Sequence, residues 1–201
     1  MKKRSTRSSI SSEWQRYRER NLKKYERAKN EGSVDAPIVP LLDLLNANTH
    51  YVTTSSCSGR VVLLATTPSE KKGESFFYRK WHRPVIFDEV WGAISSFSGS
   101  VLWFKVDPFI IHVGADSFES ALRLVNVAHR AGVKIAGIQA ADNVKFHVEI
   151  RGIDYMAVPV YERELLVNKD YVRHLVRIAN RKMVRNAHRL ARLFKAVSTL
   201  L

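Results

Sequence analysis

Hydrophobic positions along the chain follow two periods, and each period predicts a different kind of element. Apolar residues that recur every three or four positions indicate one buried face of an α-helix. This period occurs at residues 12–30, 40–46, 87–96, 117–131 and 170–196. Short apolar or alternating runs are typical of β-strands. Such runs occur at residues 50–55, 60–66, 76–81, 101–106, 109–113, 134–139, 144–150 and 155–160.

The order of these segments predicts an α+β fold built from a duplicated unit of a helix and three strands. In each half, two strands are joined by a small polar tip, at residues 56–59 and again at residues 139–143. Consecutive strands with short connections pair antiparallel, so we expect a largely antiparallel sheet that curls on itself. No strand is followed by a Gly-x-Gly-x-x-Gly phosphate loop, so the sequence does not support a Rossmann-type fold.

Positive charge is concentrated at the two ends of this 201-residue chain, whose formal net charge is +14. Residues 1–31 carry 11 Lys/Arg against 4 Asp/Glu, and residues 163–201 carry 10 against 2. The body at residues 32–162 is nearly neutral, with 12 against 13. We therefore expect one domain: a disordered basic tail at 1–10, a basic helix at 12–30, the body, and a basic C-terminal helix. Ends of this kind favour binding to nucleic acid, and solubility is the alternative explanation.

Cysteine content and hydropathy exclude several classes of protein. The single cysteine rules out an internal disulfide framework and a cysteine-ligated iron–sulfur cluster. The seven histidines lack zinc-ligand spacing, so we expect no metal. No apolar run reaches the roughly 20 residues that a membrane helix needs. The basic start is not followed by a hydrophobic segment, so we expect a cytoplasmic protein with no membrane partner.

The stretch Thr53–Arg60 has the most unusual composition in the chain. It joins five hydroxyl residues, the only cysteine, a glycine and an arginine, between two apolar runs. Such a segment suits a loop whose backbone and hydroxyl groups approach a polar ligand beside a fixed positive charge. An ordinary hairpin turn is the alternative, because Ser-Gly is common turn chemistry.

Three polar residues on the predicted strands are candidates for proton transfer. His82 ends a strand, His112 lies within an apolar strand, and Asp107 shares a strand face with Lys105. The alternatives are a hydrogen-bonded core histidine in each of the first two cases and an ordinary ion pair in the third.

Arginines recur at every fourth position of the predicted C-terminal helix. Like charges at this spacing repel one another, and phosphate groups relieve that repulsion by pairing with the guanidinium groups. A solvated helix face is the alternative. The predicted RNA-binding residues are Arg173, Arg177, Arg181, Lys182, Arg185 and Arg189.

Taken together and in order, several segments resemble the tRNA wybutosine-synthesizing protein 3 family, including its archaeal members. The matching segments are Gly32–Asp35, Thr53–Arg60, His82, Lys105, Pro108-Phe109, His112-Val113, Ala136–Ile138, Ala179–Met183, Asn186 and Arg189. They span nearly the whole chain, and Thr53–Arg60 is the most specific of them. Asp107 stands where many members have glutamate.

This resemblance implies an S-adenosylmethionine-dependent methyltransferase that acts on tRNA. The implied reaction methylates the N(4) ring nitrogen of a 4-demethylwyosine-type guanosine next to the anticodon, with S-adenosylmethionine as cofactor and the anticodon stem-loop as partner. From residue chemistry, the predicted catalytic residues are His82, His112 and Asp107, in that order of preference. The predicted cofactor-binding residues are Ser55, Ser56, Cys57, Ser58, Gly59 and Arg60, with Cys57 expected to pack and not to attack. A non-catalytic RNA-binding or RNA-chaperone module is the alternative function.

Overall fold

The computed structural model describes residues 11–69, 71 and 73–200, without the side chain of residue 200. The tail predicted at residues 1–10 lies outside the described residues. The α-helices in the described part are α1 (Ser12–Asn30), α2 (Val39–Ala47), α3 (Phe87–Ser95), α4 (Phe118–Arg130) and α5 (Lys169–Leu200), with a short 3₁₀ helix at Ala36–Ile38. The strands there are β1 (Tyr51–Cys57), β2 (Arg60–Thr66), β3 (Phe76–Trp81), β4 (Val101–Asp107), β5 (Ile110–Ala115), β6 (Ile135–Ala141), β7 (Phe146–Arg151), β8 (Met156–Glu162) and β9 (Glu164–Leu165). None of the described helices has the length and apolar character needed to cross a membrane.

The strands form two antiparallel sheets, and the α+β class predicted from the sequence is confirmed. The first sheet has the strand order β1-β5-β7-β6, and the second has the order β3-β2-β4-β8-β9. All described strand pairs are antiparallel. The strands therefore lie in two sheets and not in the single curled sheet that we expected.

Of the two predicted hairpins, only the second is a hairpin in the structure, so the duplicated unit is wrong in its details. Residues 50–55 and 60–66 do not form a hairpin, because Cys57 at the end of β1 pairs with Ile110 of β5, whereas Arg60 at the start of β2 pairs with Asp107 of β4. Here β1 and β2 run as one bent strand beside a second bent strand made of β4 and β5. The second tip is a true hairpin between β6 and β7 in the first sheet. Alternation along one strand specifies its buried face but not its neighbour.

The chain passes between the sheets through three short segments, residues 58–59, 108–109 and 152–155. We call the place where they meet the crossing point. The N–H of Gly152 donates to the carbonyl oxygen of Phe109 over 2.9 Å, so the second and third segments are in direct contact.

Asn186 of α5 fastens the crossing point. Its side chain is 2% exposed, its Nδ2 donates to the carbonyl oxygen of Ser58 over 2.7 Å, and its Oδ1 accepts from the N–H of Phe109 over 2.7 Å. A Cβ on Gly59, whose φ is +101°, would lie 2.6 Å from Nδ2, and a Cβ on Gly152 would lie 3.1 Å from Oδ1. The buried amide thus satisfies backbone groups that the crossings leave outside the sheet ladders, and it requires glycine beside it.

The core consists of two hydrophobic clusters, and α5 contributes to both. The first cluster joins the inner face of the first sheet, with Ile111 and Val113, to α2, α4 and the C-terminal part of α5, where Leu193 is buried. The second joins the inner face of the second sheet to α3 and the N-terminal part of α5, where Val172 and Ala179 are buried. One long helix therefore fixes the relative position of the two sheets at the crossing point.

The helix α1 covers one end of the outer face of the first sheet. The indole Nε1 of its buried Trp14 donates to the carbonyl oxygen of Thr49 over 3.1 Å. Tyr17 packs on Gly114 of β5, where a Cβ would lie 3.0 Å from its ring. Glycine at this position lets α1 approach the sheet closely, and the rest of that face extends from Gly114 toward the crossing point.

Candidate active site

The outer face of the first sheet carries two rows of residues that run across its four strands. The first row is made of Cys57, Ile110, Arg151 and Ile135, which pair in register. The second row is made of Ser55, His112, Glu149 and Gly137. Residues two apart on a strand point to the same face about 7 Å apart, so the two rows are neighbours.

A pocket of about 590 Å³ lies between the first row and the crossing point. Cys57, Ile135 and Arg151 of the first sheet line it, together with Arg60 and Asp107 from the second sheet. Pockets that hold small molecules commonly have volumes of this order. Three residues predicted from the sequence, the cysteine, Arg60 and Asp107, therefore meet in one cavity.

Two guanidinium groups reach this pocket from different sheets, and each lies beside a carboxylate. Arg60 places Nε 3.1 Å from Oδ2 of Asp107, whose other oxygen lies 3.6 Å from Nζ of Lys105. Arg151 places Nε 3.9 Å from Oε1 of Glu149. An arginine has five N–H donors, so pairing through Nε leaves donors for a ligand carboxylate. The pocket can therefore bind groups that carry both signs of charge, such as an α-amino acid.

The second row contains a hydrogen-bonded chain of a serine, a histidine and a glutamate. Ser55 Oγ lies 2.7 Å from Nδ1 of His112, and Nε2 of His112 lies 3.0 Å from Oε2 of Glu149. An ionised carboxylate only accepts, so the network assigns the ring proton to Nε2 and leaves the Nδ1 lone pair facing the serine hydroxyl. His147 stacks on His112 at 5.1 Å, and its pKa is lowered by burial and by the neighbouring imidazole. The chain is thus a proton acceptor of defined tautomer beside the pocket.

His82 lies with Asp35 behind Cys57. Its Nδ1 is 3.0 Å from Oδ2 of Asp35, and the same oxygen accepts from the N–H and the hydroxyl of Ser58 over 2.7 and 3.0 Å. Asp35 therefore holds the first crossing segment, whereas the buried Nδ1 of His82 lies beside it without a hydrogen bond among the described residues. In the sequence, only the family-like segment Gly32–Asp35 draws attention to Asp35, and its distance in the chain from His82 gives no sign that the two side chains meet.

The donor atoms of Asp35, Cys57 and His82 lie within 4.8 Å of one another, a separation that suits a metal ion. Burial raises the pKa of the Cys57 thiol, which disfavours the thiolate that a metal would bind. The carboxylate of Asp35 already accepts two hydrogen bonds from Ser58. These contacts explain the cluster as part of the crossing point, and the expected absence of a metal stays a prediction.

The six predicted cofactor-binding residues do not share one surface. Cys57 and Arg60 line the pocket, and Ser55 belongs to the adjoining row. Ser56 contributes to a separate cavity of about 300 Å³ beside α1, a cavity that Ser55 also borders. Ser58 and Gly59 are buried, and they shape the first crossing segment through their contacts with Asp35 and Asn186.

The predicted RNA-binding residues of α5 have different environments. Arg189 donates to the buried carboxylate of Asp154 over 2.8 Å, so its guanidinium fastens the third crossing segment. Arg173 pairs with Asp170 over 2.9 Å, and Lys182 is half-buried. The remaining members, Arg177, Arg181 and Arg185, are exposed. Phosphate binding by the exposed group stays a prediction, whereas Arg189 serves the fold.

Comparisons with known proteins agree with this architecture. The family model described as Methyltransferase TYW3 matches residues 11–199. A relative from Pyrococcus furiosus, named tRNA(Phe) 7-((3-amino-3-carboxypropyl)-4-demethylwyosine(37)-N(4))-methyltransferase 1, is 39% identical over 192 residues, 95% of this chain and 98% of that protein. A relative of the same name from Thermococcus kodakarensis is 38% identical over 184 residues, 91% of this chain and 93% of its own length.

A solved structure supports the same relationship. The PH1069 protein from Pyrococcus horikoshii superposes with a TM-score of 0.89 at 37% identity, covering 96% of this chain and 97% of that protein. Family model, sequence and fold thus agree over nearly the whole chain, and the resemblance to the tRNA wybutosine-synthesizing protein 3 family is confirmed. The chain belongs to the methyltransferase TYW3 family.

Proposed function

We propose that this protein transfers a methyl group from S-adenosylmethionine to the N(4) ring nitrogen of a 4-demethylwyosine-type base next to the anticodon of tRNA. One observation carries the proposal: the pocket at the crossing point places Arg60 and Arg151 beside carboxylates, next to the row with Ser55, His112 and Glu149. The names of the relatives specify tRNA(Phe), position 37 and a 3-amino-3-carboxypropyl arm on the base, which supports the same substrate here.

The residues of the pocket fit S-adenosylmethionine. Ile110, Ile135 and Tyr155 give the pocket apolar walls that suit an adenine ring, and Arg60 and Arg151 give it donors for carboxylates. The cofactor and the arm on the base both end in an α-amino acid group, so two arginines match two carboxylates. When bound, S-adenosylmethionine supplies an electrophilic methyl group on a sulfonium.

The second row gives this chain a way to take up the proton that the ring nitrogen loses. Ser55 donates its hydroxyl proton to Nδ1 of His112 as it accepts the substrate proton, and Glu149 stabilises the imidazolium that forms. Asp107 already pairs with Arg60 and Lys105, so its carboxylate orients the arginine in the pocket. Of the three predicted catalytic residues, the geometry favours His112, which contacts both Ser55 and Glu149, over His82. The Nδ1 of His82 is buried beside Asp35 and has no hydrogen-bond partner among the described residues.

Positioning of the tRNA is assigned to the exposed cations of α5. The exposed cations are four residues apart on one side of α5: Arg177, Arg181 and Arg185. Guanidinium groups bind phosphate oxygens well. These contacts hold the tRNA body while the pocket receives one base. We expect the protein to act in the cytoplasm, a location that fits an enzyme that modifies tRNA.

We expect the wild-type protein to bind S-adenosylmethionine and to methylate a single nucleoside. Titration calorimetry measures the binding, and mass spectrometry of nucleosides from tRNA(Phe) that carries the demethylated base measures the product. The expected product gains one methyl group on the tricyclic base. If no cofactor binding occurs with or without tRNA, the methyltransferase proposal is wrong, and the non-catalytic RNA-binding module becomes the better account.

A further inference from the structure

The outer face of the second sheet presents aromatic and basic side chains together. The inner face of this sheet, with Val61 and Leu63, packs against α3 and α5 in the second cluster. Side chains alternate along each strand, so the neighbouring positions point away from those helices. The outer face of the strands carries Arg60, Phe77, Lys80, Trp103 and Lys105. Tyr155 of the third crossing segment borders the same face beside Trp103 and Lys105.

Two large rings on this face are exposed to solvent beside positive charges. Phe77 is 46% exposed, with Cζ of Arg60 4.3 Å and Nζ of Lys80 5.9 Å from its ring centroid. Tyr155 is 54% exposed, with Nζ of Lys105 5.7 Å from its ring centroid. Each exposed ring therefore forms a unit with at least one cation, and the two units lie on one side of the sheet.

This combination matches single-stranded RNA. Unpaired bases stack on aromatic rings and on arginine planes, and cations beside the rings meet the phosphates of the same nucleotides. The interface core of a protein partner is instead depleted in lysine, and a duplex offers no unstacked base to a ring. A groove of about 270 Å³, bordered by Leu64, Trp103 and Tyr155, adds a recess on this face.

The face is continuous with the pocket at the crossing point. Tyr155 lines both the groove and the pocket, and Arg60 lines the pocket while its guanidinium lies over Phe77. If one base of an RNA strand enters the pocket, the nucleotides next to that base lie against this face.

We infer that the outer face of the second sheet binds the unpaired nucleotides of the anticodon loop that flank the modified base. Phe77 and Tyr155 stack with bases, and Lys80 and Lys105 contact phosphates. The inference rests on the proposed function for the identity of the RNA, whereas the binding chemistry rests on this face alone.

Anisotropy titrations with two fluorescent RNAs, an anticodon stem-loop and a fully paired duplex of equal length, test this surface. Phe77→Ala is expected to weaken stem-loop binding roughly tenfold and to leave duplex binding unchanged, because it removes one stacking platform. Phe77→Trp is expected to retain binding, because the platform remains. The control Phe118→Ala, at a 50% exposed ring at the start of α4, is expected to change neither titration.

A second variant keeps the test independent of folding effects at Phe77. Lys80→Ala is expected to weaken binding and to reduce the salt dependence of stem-loop affinity by about one phosphate contact. Calorimetry with S-adenosylmethionine is expected to give wild-type cofactor affinity for Lys80→Ala, because Lys80 is not among the residues that line the pocket.

Three outcomes separate this inference from the proposed function. Wild-type methylation with unchanged stem-loop affinity in Phe77→Ala and Lys80→Ala would overturn the inference alone. Loop-selective binding that depends on Phe77 without any methyl transfer would support the inference and contradict the proposed function. A change of oligomeric state in sedimentation, with RNA affinity unaffected, would make the face a contact between copies of the chain and would also overturn the inference.

Discussion

Replacing Gly59 by alanine is expected to lower the free energy of unfolding by about 4 kcal/mol, the sum of backbone strain and a disturbed buried amide. The φ of +101° at this residue is costly for any side chain, and the new Cβ would lie 2.6 Å from Nδ2 of Asn186. Asn186 would then have to shift away from the Ser58 carbonyl and the Phe109 N–H that it satisfies. Urea denaturation followed by circular dichroism measures the loss.

Gly32 provides a matched control for this effect. Its φ is +68°, and a Cβ there would have nothing within 4 Å. Gly32→Ala carries backbone strain without a clash, so the expected loss is about 1 kcal/mol. Equal losses in Gly32→Ala and Gly59→Ala would show that close packing against Asn186 does not stabilise the crossing point.

Replacing His112 by glutamine is expected to lower kcat for methyl transfer by about 100-fold to 10,000-fold, the usual contribution of a general base. Glutamine is also polar, but it cannot accept the proton that Ser55 passes to Nδ1. The KM for S-adenosylmethionine is expected to change little, because the ring lies in the row beside the pocket and not among its lining residues. Single-turnover assays with demethylated tRNA(Phe) measure the rate of the chemical step.

His147 is the control for this variant, because it stacks on His112 but takes no part in the hydrogen bonds that join Ser55, His112 and Glu149. His147→Gln is expected to change kcat by no more than about threefold, since loss of a ring contact leaves the Ser55–His112–Glu149 chain in place. A large loss of kcat in His82→Gln together with a wild-type kcat in His112→Gln would contradict this assignment. The general base would then be His82 beside Asp35, the first preference from the sequence.

The sequence predicted the segments of regular structure well, but not the neighbours of each strand. Every run assigned to a helix or strand in the described residues corresponds to such an element. The two residues between Cys57 and Arg60 are the usual length of a hairpin loop, yet the strands continue into different sheets. At the crossing point Cys57 pairs with Ile110 and Arg60 with Asp107, which are distant in the chain, and local alternation carries no information about such partners.

The buried stripe of α5 shows a similar limit. Steps of three and four between apolar residues over 170–196 would put Ala187 and Phe194 on the buried face, but both are exposed, and Asn186 and Leu193 are buried in their place. A turn has 3.6 residues, so a stripe built from steps of three and four residues gradually moves away from the buried face along a 32-residue helix. Apolar spacing also cannot predict the burial of Asn186, because its amide is buried to hydrogen-bond backbone groups of distant residues.

The candidate site was predictable only in part for the same reason. Unusual composition around residues 53–60 pointed to Cys57 and Arg60, which do line the pocket. In the sequence, Glu149 and Arg151 are charged residues of a predicted strand without any distinguishing motif. They become site residues because β7 pairs with β5 in this register. Registers between distant strands are set by the whole fold, so these two residues could not be found from local sequence.

The most direct test of the pocket as the site of methyl transfer is the initial rate with Ile135→Trp. Ile135 lies on the edge strand β6 and is 38% exposed, so a larger ring can fill the pocket without disturbing the core. The rate of transfer from labelled S-adenosylmethionine to demethylated tRNA(Phe) is expected to fall at least about tenfold, with an unchanged melting temperature. A folded variant that transfers methyl groups at the wild-type rate would contradict the assignment of the pocket.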